Sequence, residues 1–293
     1  MADSTPTYDF SHTTPEPRWP VRAWRFTSVI WLAARIYAGY KTIQLWARYV
    51  GTSHKERHYR RQDLRAARAL YRTSVRLEGL LIKASQFIAT RADILPDEWV
   101  TTLGGLHDRV PPRPFAVIRA QIERELGRPL DALFAEFDPH PLAAASLAQV
   151  HRAVTRDGRQ CAVKVQYPRI EGIVRADLRN LMFTLRILAR LEPDFDFRII
   201  ARELLKYIPM ELDFINEARN CETIGRNFAG RDDVIIPRVY HELTTRRVLT
   251  MELLDGIKVT DVDALEHAGI DKRAVAQRLI EVFTEQILRD GFF

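Results

Sequence analysis

The chain has 293 residues, 46% of them hydrophobic and 28% charged, with 13 Gly and 15 Pro, which supports one or two compact domains and excludes collagenous, low-complexity and disordered chains. Its formal charge is +6, but residues 1–72 hold 13 of the 44 Lys and Arg against only 5 of the 38 Asp and Glu. A basic leader on a near-neutral body points to surface docking and away from a nucleic-acid-binding domain.

Residues 1–25 contain Pro6, Pro15, Pro17 and Pro20 among scattered Ser and Thr. They lack the apolar core of a signal peptide and are expected to form a flexible tail. From Phe26 to Val50, the residues Phe26, Val29, Ala33, Ile36, Tyr40, Ile43, Ala47 and Val50 recur at three- and four-residue steps and line one helical face. The longest uncharged run, Phe26 to Ala34, is too short for the roughly 20 residues that a bilayer span needs. Two readings stand: a helix lying in a membrane interface, with Trp24, Trp31 and Trp46 as aromatic bulk and anionic lipid as partner, or a helix packed on its own domain.

The basic stretch His54 to Arg72 reads as a solvated face. A second helix is expected from about Gln62 to Thr90, with Leu70, Leu77, Leu80, Leu81, Ala84, Phe87 and Ile88 at helical spacing. Lys83 and Gln86 lie one turn apart beside that stripe, either within reach of a common partner or, as so short a pattern usually is, an ordinary surface Lys and Gln. The tract Leu106 to Pro112 marks a boundary, and a helix from Pro114 to Leu126 ends at the Gly127-Arg128-Pro129 break.

From Leu133 the period changes. The chain reads strand, Ala-rich turn at Ala143-Ala144-Ala145-Ser146, strand, Asp157-Gly158 hairpin, and a third strand Gln160 to Gln166. Lys164 sits among alternating apolar residues of that strand. Either a carboxylate or phosphate lies near it, since an unpaired buried ammonium is costly, or it reaches solvent from an edge strand. Two cysteines, Cys161 and Cys221, make neither a disulfide framework nor a zinc-site spacing, which suits a reducing compartment.

A long helix is expected from Arg169 to Leu191, and another after Asp196 that carries Glu211, Asp213 and Glu217. Asp213 and Glu217 share a face, whereas Glu211 and Asp213 lie about 200° apart on an ideal helix, so one of those two points elsewhere unless Pro209 distorts the turn. After a short strand near Val239, Val248 to Gly256 reads as a buried strand entering a loop, either a hinge that presents backbone groups to an adenine or an ordinary strand end.

Taken in this order, the residues resemble the UbiB-like atypical kinases, the aarF-domain family, over about residues 60–293. Lys83-Ala84-Ser85-Gln86 is similar to the family's KxGQ motif, with Ser85 where the family has Gly, and Ala143 to Ser146 is similar to its Ala-rich substitute for the kinase Gly-rich loop. The resemblance implies that Lys164 contacts nucleotide phosphates, that Glu217 is its helix partner, and that Met251 and Glu252 form the hinge. It also implies a lid network in which Lys83 and Gln86 meet Glu211 and Asp213 of the ExD motif, with Lys83 paired and buried. ATP and Mg are the implied cofactors.

Family members continue into an HxDxHxxN catalytic loop and a metal-binding DFG, and neither motif occurs in this sequence. No catalytic or metal-binding residue is therefore assigned; Asp255 and Asp290 read as surface carboxylates, and the chain alone is expected to be inactive. The expected fold is α+β. A flexible tail (1–25), basic amphipathic helices with the KxGQ extension (26–110) and a kinase-like N-lobe (111–254) lead into an incomplete helical C-lobe (255–293). The resemblance implies an atypical kinase or ATPase at a membrane, peripheral and cytoplasmic, working with quinone or isoprenoid-lipid biosynthesis proteins. The alternative is a non-catalytic pseudokinase or membrane-surface interaction module.

Overall fold

A computed structural model describes residues 14–50, 55–90, 95–106, 111–192 and 197–292. The chain folds as α+β, and the described residues form a four-stranded antiparallel sheet among helices. The expected tract His107 to Val110 and residues 1–13 lie outside the described residues.

The N-terminal extension consists of α1 (Trp19–Val50), α2 (Lys55–Leu77), α3 (Leu80–Ala89) and α4 (Asp97–Gly104). Residues 14–25 do not form the expected flexible tail. The N–H of Thr14 donates to Glu171 at 3.0 Å, and the N–H of Gly172 donates to the Thr14 hydroxyl at 3.2 Å. Pro15 crosses Gly172 so closely that a Cβ there would stand 2.4 Å from the Pro15 carbonyl oxygen. Helix α1 then starts at Trp19, with Pro20 tolerated in a first turn whose N–H groups need no helical acceptor. The helix expected over 62–90 is two helices, because Glu78 (φ 54°) and Gly79 (φ 61°) are consecutive left-handed residues that end α2 and redirect α3. Leu32, Leu70, Ile82 and Leu103 form the core of the extension.

Helices α5 (Phe115–Leu126) and α6 (Leu130–Leu133) lead into the sheet. Gly127 caps α5 with a left-handed residue, φ 67°, as the break there requires. The strands β1 (Phe134–Ala144), β2 (Ala148–Thr155), β3 (Gln160–Gln166) and β4 (Val248–Glu252) lie in the order β1-β2-β3-β4. Pro139 and Pro141 fall on edge strand β1, where a missing N–H costs no central ladder bond and where the register is bulged. The Asp157-Gly158 turn joins β2 to β3, with Gly158 at φ 85°.

The two sheet faces differ. Cys161, Val163 and Val165 point to the main core, packed by α3, α5, α7 (Ile170–Leu191) and α8 (Phe197–Met210) through Leu80, Ile118, Val174 and Ile208. The other face carries Ala148 and Leu249, which pack on Phe214 and Ala218 of α9 (Phe214–Asn227). Because α3 contributes Leu80 and Ala84 to this core and Ile82 to the extension core, it couples the two. Beyond β4, an exposed linker leads to α10 (Val262–His267) and α11 (Lys272–Glu285), and α11 buries none of its residues.

Candidate nucleotide site

Strand alternation positions the central lysine. In β3, Cys161, Val163 and Val165 are buried at the main core, so Ala162 and Lys164 must face the α9 side. Lys164 lies opposite Val150 of β2 and Leu249 of β4, and Ala162 lies opposite Met251. These residues share one face of the sheet. Val150 and Ala162 are half-buried there, and motif matching alone missed both; strict period-two alternation on either side of Lys164 was the available signal.

The ammonium of Lys164 is forked between both carboxylate oxygens of Glu217, each at 2.7 Å, and its Nζ stands 4.8 Å from the ring centroid of Phe214. This settles the choice between a partnered and a solvent-directed Lys164 in favour of the partner. The side chains are 27% and 41% exposed. A pair this open contributes at most about 1 kcal/mol to stability. Its consequence is positional: the cation is fixed at the mouth of the sheet face, with hydrogen-bonding capacity left for an incoming anion.

The small-residue turn adjoins it. Ala143 and Ala144 end β1, while Ala145 and Ser146 turn the chain, closed by the Ala145 N–H donating to the Ala148 carbonyl at 2.8 Å. Ser146 is buried and Ala145 exposed, so the turn presents backbone and methyl groups, with little side-chain bulk, at the end of the face that carries Lys164. At the opposite end, Met251 and Glu252 close β4. The N–H groups of Glu252 and Leu253 donate to the carbonyls of Arg238 and Gln160, so the next main-chain donor along the linker is that of Leu254.

The four residues expected in a lid separate into distinct contacts. Lys83 Nζ meets Glu211 at 2.8 Å, yet both side chains stay more than a third exposed, so Lys83 is paired but not buried as expected. Gln86 donates to the Leu106 carbonyl at 3.1 Å. Asp213 turns away from Lys83: its carboxylate accepts from the Ile215 N–H at 3.0 Å as the N-cap of α9 and meets Arg246 at 3.2 Å. The cause is the turn that separates α8 from α9. Residues 211–220 do not lie on one helix; α8 ends at Met210, Leu212 is fully buried in the turn, and α9 starts at Phe214. Glu211 and Asp213 therefore flank the buried Leu212 and face different partners.

Ser85, which stands where the resemblance has Gly, is fully buried, and its hydroxyl meets that of Ser74 on α2 at 2.8 Å. Its side chain points into the extension and leaves the Lys83 side of α3 clear. Among the described residues no group of three or more His, Cys, Asp or Glu is arranged to hold a metal. Asp290 is held by Arg289, whose guanidinium keeps its carboxyl below the usual range, and Asp255 is exposed. Burial pushes the Cys161 thiol up to about 11, consistent with a packing role.

An antiparallel sheet whose central lysine is paired with a glutamate from the helix packed on that face defines a kinase-like lobe. Residues 105–293 match the ABC1 atypical kinase-like domain, and the chain belongs to that family. It is 38% identical over 279 residues to the uncharacterized protein sll0095 of Synechocystis, covering 93% of this chain and 48% of that protein. It is 37% identical over 229 residues to AarF domain-containing protein kinase 1 of Gallus gallus, covering 78% and 44%. A solved structure, the Rv3197–erythromycin complex of Mycobacterium tuberculosis, aligns with a TM-score of 0.47 at 28% identity, over 71% of this chain and 53% of its own. The chain spans about half the length of the curated relatives it matches.

Proposed function

We propose that these residues form the nucleotide-binding lobe of an ATP-using atypical kinase or ATPase. The observation that carries the reading is the Lys164–Glu217 fork on the α9 face of the sheet. Lys164 contacts the nucleotide phosphates and Glu217 holds it in place, while the turn from Ala143 to Ser146 covers them from above. Val150, Ala162 and Met251 bound the base, and the backbone at Glu252 to Leu254 reads its polar edge. Magnesium, when bound with the nucleotide, neutralises phosphate charge; no residue of this chain is assigned to it, and phosphoryl transfer is a property proposed only for a protein that also carries the catalytic and metal-binding loops.

The setting we infer is peripheral to a membrane, in quinone or other isoprenoid-lipid metabolism. The N-terminal concentration of Arg and Lys supports the membrane part of this reading. A second reading, a pseudokinase that serves as a membrane-surface module, is favoured by the exposed aromatic residues of α1. Thermal unfolding with and without ATP tests the nucleotide assignment. ATP should raise the midpoint of the intact chain, and Lys164→Ala should remove the rise without lowering the midpoint of the free protein by more than about 1 kcal/mol equivalent. An unchanged rise in Lys164→Ala contradicts the assignment.

A further inference from the structure

Helix α1 is apolar on two sides. The stripe from Phe26 to Ala47 is half-buried against α2 and α7, as in the Phe26–Phe183 ring contact at 5.7 Å and the Tyr40 hydroxyl donating to Asp63. That face follows the own-domain reading. The opposite arc exposes Trp24, Trp31, Leu45 and Tyr49, Trp31 at 61% and Tyr49 at 80%. The positions between them on this arc are Thr27, Ala34, Ala38 and Thr42, all exposed, so the arc itself carries no charged residue over about seven turns, while Arg35 at its edge lies over the Trp31 ring at 5.2 Å. Helix α1 contains no Asp or Glu, and Arg35 and Arg48 border the apolar arc.

Beside it, the solvent face of α2 is a row of arginine. Arg57, Arg61, Arg65, Arg68, Arg72 and Arg76 are exposed at steps of three and four residues. Among the described residues none of the first five has a carboxylate within ion-pair distance. The two rows adjoin at both ends of the α1–α2 pair, where Arg76 lies over the Trp24 ring at 5.9 Å and Trp46 packs on His58 at 4.8 Å.

We infer that the outer arc of α1 and the arginine row of α2 together form a docking surface for an anionic lipid bilayer, with the aromatic arc seated at the headgroup level and the guanidinium groups on lipid phosphates. This rests on the peripheral-membrane reading above and specifies its surface. The chemistry favours lipid over an acidic protein. Amphipathic Trp and Tyr beside Arg match the interfacial zone of a bilayer, and no exposed carboxylate on the α1 arc supplies the complementary polar contacts that a folded partner would use. No helix among the described residues is long and apolar enough to cross a membrane, so the arc lies on the surface.

Co-sedimentation of the full chain with vesicles of phosphatidylcholine, with and without phosphatidylglycerol, tests the surface. The intact chain should bind the anionic vesicles at least tenfold better than the neutral ones, and high salt should weaken that binding. Either Arg61→Gln/Arg65→Gln/Arg68→Gln/Arg72→Gln or Trp31→Ser/Tyr49→Ser should reduce it at least tenfold, while circular dichroism and the ATP-induced thermal shift stay unchanged. Equal binding to neutral vesicles, or capture of acidic polypeptide with no vesicle binding, overturns the proposal. Absence of vesicle binding by the intact chain removes the membrane reading as well, whereas binding that survives both variants removes this surface alone.

Discussion

Arg25 of α1 and Asp177 of α7 form a buried ion pair that fastens the N-terminal extension to the kinase-like lobe. Arg25 Nε donates to Asp177 at 2.8 Å, a second guanidinium nitrogen also reaches that carboxylate, and Nη1 donates to the Leu77 carbonyl at 2.6 Å. One side chain thus joins α1, the end of α2 and α7. Burial pushes the Asp177 carboxyl up, and Arg25 opposes that shift. Arg25→Ala should cost about 3–5 kcal/mol in urea unfolding, because it strands a buried carboxylate. Replacing both partners, as Arg25→Met with Asp177→Leu, should recover most of the loss.

The Ser74–Ser85 hydroxyl pair makes a different prediction. Ser85→Ala leaves the Ser74 hydroxyl buried without its partner and should destabilise by about 1–3 kcal/mol, whereas Ser74→Ala with Ser85→Ala should lie close to the intact protein. A double variant as unstable as the sum of the singles would contradict the pairing. The Lys83–Glu211 contact, on the other side of α3, should be insensitive to either change.

Glu211 and Asp213 should separate in a stability assay. Asp213→Ala removes the N-cap of α9 and should cost about 0.5–2 kcal/mol. Glu211→Ala breaks a half-exposed pair and should cost under about 1 kcal/mol. Chemical denaturation of the two single variants checks the order.

His151 gives the fold a pH dependence. It is fully buried in β2, with Nδ1 2.8 Å from the Asp138 carbonyl and Nε2 2.8 Å from the Gln149 amide nitrogen. That arrangement suits a neutral ring with its proton on Nδ1, and burial lowers its pKa below the ordinary 6.5. The unfolded chain therefore binds the proton more readily than the folded one. The stabilisation is present above about pH 6.5 and is lost as pH falls toward the lower folded value. Unfolding free energies measured from pH 8 to pH 5 should decline, and His151→Gln should flatten that decline.

The sheet was legible because its signals are local. The Asp157-Gly158 turn sets the β2–β3 hairpin, alternation about Lys164 assigns its faces, and motif order pairs it with Glu217 across 53 residues. The helix breaks were not legible. Leu77, Leu80, Leu81 and Ala84 keep helical spacing straight through Glu78-Gly79, since each short helix satisfies the same pattern by itself. Asp213 was misplaced for a related reason: its spacing from Glu211 is the same whether the chain continues as helix or turns at Leu212. In α1, apolar residues occur all round the helix, so the stripe that periodicity selects says nothing about the second apolar arc. The direction of the Ser85 hydroxyl follows only from where α2 lies.

The central claim is that Lys164, held by Glu217, is a nucleotide contact, and calorimetric titration of ATP into the folded chain tests it most directly. The account predicts saturable binding to the intact protein, at least a tenfold loss in Lys164→Ala and a smaller loss in Glu217→Gln, with Lys83→Ala retaining affinity closer to the intact protein than Lys164→Ala does. Affinity unchanged in both Lys164→Ala and Glu217→Gln, in proteins with intact circular dichroism, would contradict it.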